Sequence, residues 1–163
     1  MTNAPFYAAG LRFSCKRCSS CCRYDSGFVF LSEKDLRKLA AALDMDKGRF
    51  VKTYCRWVSG REGVESLSLK EKSNKDCVLW DSGCSVYGFR PLQCSSFPFW
   101  PSILSSSESW EIAAVSCPGM NMGDLHTQEA IERHVKSRGA EPVITKNSWE
   151  FSNCMSGLGQ GVG

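Results

Sequence analysis

Four cysteines crowd into the eight residues Cys15-Lys16-Arg17-Cys18-Ser19-Ser20-Cys21-Cys22, two positions behind Phe13. Thiols at i, i+3 and i+6 can turn inward around one centre, and thiolates are soft ligands suited to zinc, copper(I) or iron–sulfur clusters. Disulfides and inert buried thiols are the alternatives, yet four thiols this close are hard to place as separate small hydrophobes. Neighbouring side chains diverge, so Cys21 and Cys22 are expected to serve two centres or one shared multinuclear centre. The three evenly spaced cysteines also match part of the bacterial ferredoxin pattern, whose last Cys precedes Pro; the Cys-Pro pair of this chain is Cys117-Pro118.

Compartment bears on the choice between metal and disulfide. No stretch approaches the ~20 apolar residues of a membrane span, and the segment Met1 to Gly10 lacks the basic-then-apolar layout of a secretory signal. The expectation is therefore a cytoplasmic protein, where ten cysteines favour metal over disulfides. The net charge of +3 hints at an anionic partner only if the thiols stay neutral. Eight thiolates around two divalent ions would bring the balance to about −1, so nucleic acid is not expected as a partner. Nothing points to a membrane, and a protein partner is left open.

At 163 residues, 42% of them apolar, the chain suits one domain with a modest core. Gly27 to Leu31 reads as a strand, and Ser32 with Asp35 reads as a capping box opening a helix over Glu33 to Leu43. Phe50, Val51, Tyr54, Trp57 and Val58 recur at helical spacing and predict a second helix over 46–58, with Cys55 in the core. Glu65 to Lys70 alternates as a strand. Cys77 to Trp80 and Cys84 to Tyr87 read as two strands across the turn Asp81-Ser82-Gly83, which could bring Cys77 and Cys84 together as paired ligands. Pro91 suits the first turn of a short helix bearing Cys94.

The stiff aromatic stretch Phe97-Pro98-Phe99-Trp100-Pro101 is expected to pack over a thiolate site. Ile103-Leu104 and Trp110 to Val115, joined by serines, suggest a hairpin delivering Cys117, and a third helix is expected over 128–136. The fold class is thus α+β: a small single domain of two or three helices on short antiparallel strands, held by cysteine-ligated metal. Residues 1–12 would be an N-terminal extension, 13–151 the metal-binding domain, and 152–163 a flexible Gly/Ser-rich tail.

Phe13-x-Cys15-x-x-Cys18-x-x-Cys21-Cys22, then Cys77 and Cys84, then Val86-Tyr87-x-x-Arg90-Pro91-x-x-Cys94-x-x-Phe97-Pro98 and finally Cys117, together resemble the CxxCxxCC cysteine-cluster family, a zinc- or iron-chelating domain. The likeness spans roughly Phe13 to Gly119. It implies a metal set of Cys15, Cys18, Cys21, Cys22, Cys77, Cys84, Cys94 and Cys117, enough thiols for two four-cysteine sites, with zinc or an iron–sulfur cluster as the cofactor. Ser19-Ser20 and Ser95 stand where many members carry Gly and Arg, departures that remove no thiol. Some longer relatives methylate flagellin lysines and carry an iron–sulfur cluster; no glycine-rich methyl-donor fingerprint follows a strand here.

Closed zinc sites would make the cysteines structural, whereas an iron–sulfur cluster would add redox or modifying chemistry. The leading expectation is a metal-binding protein with a role in metal handling or protein maturation. The alternatives are an iron–sulfur-dependent enzyme modifying a protein or small substrate, or a zinc-stabilised interaction module. Arg90 is expected to offset thiolate repulsion, while His126 and His134 are expected to be ordinary histidines rather than ligands.

Overall fold

The capping box at Ser32 shows how local chemistry seeds the fold. In a computed structural model, which describes residues 4–157, the Ser32 hydroxyl accepts from the Asp35 N–H and the Asp35 carboxylate accepts from the Ser32 N–H, opening helix α1 (Glu33–Ala42). Leu36, Leu39 and Ala40 turn one face of α1 inward. Asp46 caps α2 (Lys47–Tyr54) in the same way, through the Arg49 N–H.

The predicted helix over 46–58 stops at Tyr54, and strand β2 (Cys55–Ser59) follows directly. The apolar spacing of this segment satisfies both a helical and an alternating period. A partner decides: β2 pairs antiparallel with β3 (Glu65–Leu69), register Cys55↔Leu69 through Ser59↔Glu65. Gly63, at φ 73°, supplies the left-handed turn between them.

The segments 27–31, 77–80 and 84–87 are extended or looped and make single bridges instead of forming the expected strands: Phe30↔Ser68, Glu71↔Cys77 and Trp80↔Cys84. Around β2 and β3 the first core closes, with Leu31, Leu36, Leu39, Phe50, Leu67, Leu79, Val86 and Ile144 at its centre. Each such buried aliphatic side chain contributes about 2 kcal/mol.

The expected hairpin over 103–115 is helix α4 (Ser107–Ser116). Ser106 caps it by accepting from the Ser109 N–H, and Glu108 lies in the positive first turn. Ile112 and Val115, which suggested a strand, face solvent at 74% and 90% exposure, while Trp110 carries the burial. Sequence reading also missed the pairing of β1 (Leu11–Phe13) with β4 (Met120–His126), elements more than 100 residues apart. Leu104, Trp110, Met120 and Ile131 surround Phe99 in a second core, with Tyr7, Leu11 and Phe13 packed against it.

Helix α3 (Leu92–Ser95) is a single turn with Pro91 at its N-cap. Helix α5 (Gln128–Ala140) matches the expected third helix and extends it, and α6 (Lys146–Gly157) continues through the start of the expected flexible tail. The rest of that tail, 158–163, and residues 1–3 of the N-terminal extension lie outside the described residues. The class is α+β in one small domain, with six helices and two two-stranded antiparallel sheets among the described residues rather than two or three helices. No described helix is long and apolar enough to cross a membrane.

Candidate metal centre

The first cysteine run is a loop stapled at both ends to other thiol-bearing segments. Before it, the Ser14 N–H donates to the Gly119 carbonyl at 3.1 Å, next to Cys117-Pro118. A Cβ at Gly119 would overlap that Ser14 backbone, so the approach requires glycine. After it, the Cys77 N–H donates to the Cys22 carbonyl at 2.8 Å. Arg23 strengthens this second staple: its Nε pairs with the buried Asp76 carboxylate at 3.1 Å and its guanidinium lies 4.0 Å from the Trp80 ring centre. Between the staples, Ser20–Cys22 form one 3₁₀ turn, while Arg17 and Ser19 take left-handed backbone at φ 53° and 67°.

The remaining thiols arrive from three directions. Cys77 and Cys84 close the loop packed on the first core, where the Ser85 N–H donates to the Leu79 carbonyl. Cys94 rides on α3, whose Leu92 N–H is held by the Asp35 carboxylate of α1 at 2.8 Å. Cys117 is the C-cap of α4 and packs on the second core. The thiols thus lie where the two cores meet.

Cys21 and Cys22 approach to 3.8 Å between sulfurs. With Cys77 and Cys94 they line a cleft of about 250 Å³ whose other walls include Phe28, Val29, Leu69, Phe97 and Trp100. Cys84 is within electrostatic reach of Cys77 and Cys94, and Cys117 of Cys18 and Cys21. Cys15 is exposed and makes no thiol contact among the described residues. Phe97 and Trp100 reach the cleft and meet edge to face at 5.3 Å, while Phe99 turns away into the second core.

The electrostatics follow from this crowding. The hydrogen bond from Cys22 pulls the Cys21 thiol down to about 6, and the same contact raises Cys22. Burial pushes Cys94, Cys77 and Cys117 upward, and neighbouring thiols add to the effect. Arg90 opposes it at Cys21 and Cys94, the offset expected of that residue. Burial thus holds the protons on Cys77, Cys94 and Cys117, while Cys21 sheds its proton more readily, and a bound cation would displace the protons that remain. All ten cysteines are free, and no three Cys, His, Asp or Glu side chains among the described residues already converge in a ligating arrangement. The donors fit a thiophilic metal by their chemistry.

Cys55 is buried in the first core, as expected, and its thiol is pushed up to about 12 by burial. Cys154, on α6, is exposed. His126 bonds the Phe13 carbonyl through Nε2, and His134 stacks on Phe99. Arg17, Arg23 and Asp76 were not singled out from the sequence, because Arg17 meets Tyr87, and Arg23 meets Asp76 and Trp80, only in space.

Three comparisons bear on this geometry. The CxxCxxCC family model, described as "Putative zinc- or iron-chelating domain", matches residues 14–118, well over half of the chain. An uncharacterized protein of Methanocaldococcus jannaschii is 33% identical over 96 residues, which cover 57% of this chain and 48% of that protein. The chain thus spans about half the length of this curated relative. No solved structure matches.

Proposed function

We propose, on the premise that this chain belongs to the CxxCxxCC family, that it is a metal-binding protein holding zinc or an iron–sulfur cluster through clustered cysteines, with a role in metal handling or protein maturation. The observation that carries the reading is the delivery of Cys21, Cys22, Cys77 and Cys94 to one cleft from three separate stretches of chain. Cys84 joins this inner group through its reach to Cys77 and Cys94. Cys18 and Cys117 would form an outer group through their electrostatic reach, with Cys15 assigned to it by sequence position alone. Adjacent Cys21 and Cys22 would then divide between two centres or share a multinuclear one.

Zinc bound here would contribute directly to folding, and an iron–sulfur cluster would supply one-electron chemistry. The chain's own contribution is to gather the donors, to offset their charge through Arg90, and to exclude water with Phe97 and Trp100. The test is anaerobic expression with iron and zinc both available, followed by metal and acid-labile sulfide analysis. Stoichiometric metal is expected. A colourless chain with neither metal would sink the proposal.

The cleft favours one further reading, an iron–sulfur-dependent enzyme modifying a protein or small substrate, because about 250 Å³ remains open beside the thiols. It expects one motif cysteine to be dispensable for metal retention yet needed for activity. Unfolding by every Cys→Ser change in the motif would remove its support.

A further inference from the structure

Arg17 and Arg90 both lie over the ring of Tyr87, with guanidinium carbons 4.1 and 3.8 Å from its centre. Two guanidinium groups therefore share this one ring. The three residues belong to three thiol-bearing stretches. Arg17 sits inside the Cys15–Cys18 turn. The Tyr87 N–H donates to the Cys84 carbonyl at 3.2 Å, and Arg90 lies four residues before Cys94.

Arg90 is anchored: its Nε donates to the Tyr87 carbonyl at 3.0 Å, and its own carbonyl accepts from Lys38 Nζ at 2.7 Å. Arg17 makes no hydrogen bond or ion pair among the described residues, so the Tyr87 ring is its contact there. It achieves this from a left-handed backbone at φ 53°, a conformation costly for a side-chain-bearing residue. Two like charges held on one ring are unfavourable unless an anion lies nearby. A site of four thiolates and one divalent ion carries two excess negative charges, which two guanidinium groups match.

We propose that Arg17, Tyr87 and Arg90 form a cation–π clamp that closes the first cysteine loop over the metal centre and supplies its counter-charge, Arg17 acting as the positioning residue. The inference rests on the metal-binding reading. It assigns the spacing residues of the first cysteine motif a role in retaining metal, and it makes the ring of Tyr87, rather than its hydroxyl, the functional feature.

The full chain is loaded anaerobically with zinc, and metal release to a chromogenic chelator is timed; for a chain that takes iron alone, loss to an iron chelator is timed instead. Arg17→Gln and Tyr87→Leu should release metal about three- to tenfold faster, the scale of one cation–π contact. Tyr87→Phe, which keeps the ring, and Arg17→Lys, which keeps the charge, should stay near the wild-type rate. Tryptic cleavage after Arg17, read by mass, should accelerate in Tyr87→Leu but not in Tyr87→Phe. Equal release from Tyr87→Leu and Tyr87→Phe, or a wild-type rate in Arg17→Gln, overturns the clamp while leaving the metal reading in place. A wild-type chain that takes up neither zinc nor iron overturns both.

Discussion

Single residues of the cysteine loop carry conformational cost that substitution can expose. Ser19 sits at φ 67°, where an L side chain costs about 1–2 kcal/mol, while glycine gives back about 0.5–1 kcal/mol in unfolded-chain entropy. Ser19→Gly is therefore expected to stabilise the chain by about 0.5–1 kcal/mol in urea unfolding; a destabilised variant would mean that the Ser19 side chain makes a contact worth more than its strain. His134 gives a pH-dependent case away from the thiols. Burial first, then the charges of His126 and Arg133, hold its imidazole below the ordinary 6.5. The folded state then binds fewer protons than the unfolded state, so this stability is present above 6.5 and lost as pH falls through the lowered value. In metal-free protein, the urea midpoint should drop between pH 7 and pH 5, and His134→Gln should flatten that drop. An unchanged slope in the variant would assign the acid sensitivity elsewhere.

At the scale of elements, Asp35 links secondary structure to the candidate site. It completes the capping box of α1 and also accepts from the Leu92 N–H that opens α3, the helix bearing Cys94. Ser32→Ala should cost about 1 kcal/mol, the worth of a cap. Asp35→Ala should cost about 2–3 kcal/mol, because it leaves a second helix start without its acceptor, and it alone should weaken metal retention. Equal effects of the two variants on metal retention would break the proposed link between α1 and Cys94. The capping box and α1 were legible because Ser32, Asp35 and the apolar stripe are local signals, as was the alternation of β3. The strand after Tyr54 was not, because Cys55, Trp57 and Val58 fit two periods and only the pairing with β3 chooses between them. The serines before Trp110 could cap a helix or fill a turn, and Ser106 takes the first role. For the site, thiol spacing marked the residues, but the convergence of Cys94 and Cys77 on one cleft depends on α1 and on the Arg23–Asp76 staple, contacts written in no local pattern.

Across the whole molecule, the thiols occupy the junction of two cores of unequal size. Among the described residues the first has eleven buried members and the second five, so the second has less burial of its own to resist opening. Cys77 and Cys84 pack against the first core and Cys117 against the second, and metal held between them would join the two into one cooperative unit. Removal of metal by chelation should therefore act unequally. Hydrogen exchange should quicken first in β1, β4, α4 and α5, which surround Phe99 and Trp110, while α1, β2 and β3 keep their protection. With metal present, the two groups should exchange with closely similar opening free energies. Uniform loss of protection on chelation would make the centre a global folding element rather than a tie between cores. No change at all would place the metal outside the mechanical frame of the fold, leaving the Ser14–Gly119 and Cys22–Cys77 backbone bonds sufficient to hold the loop.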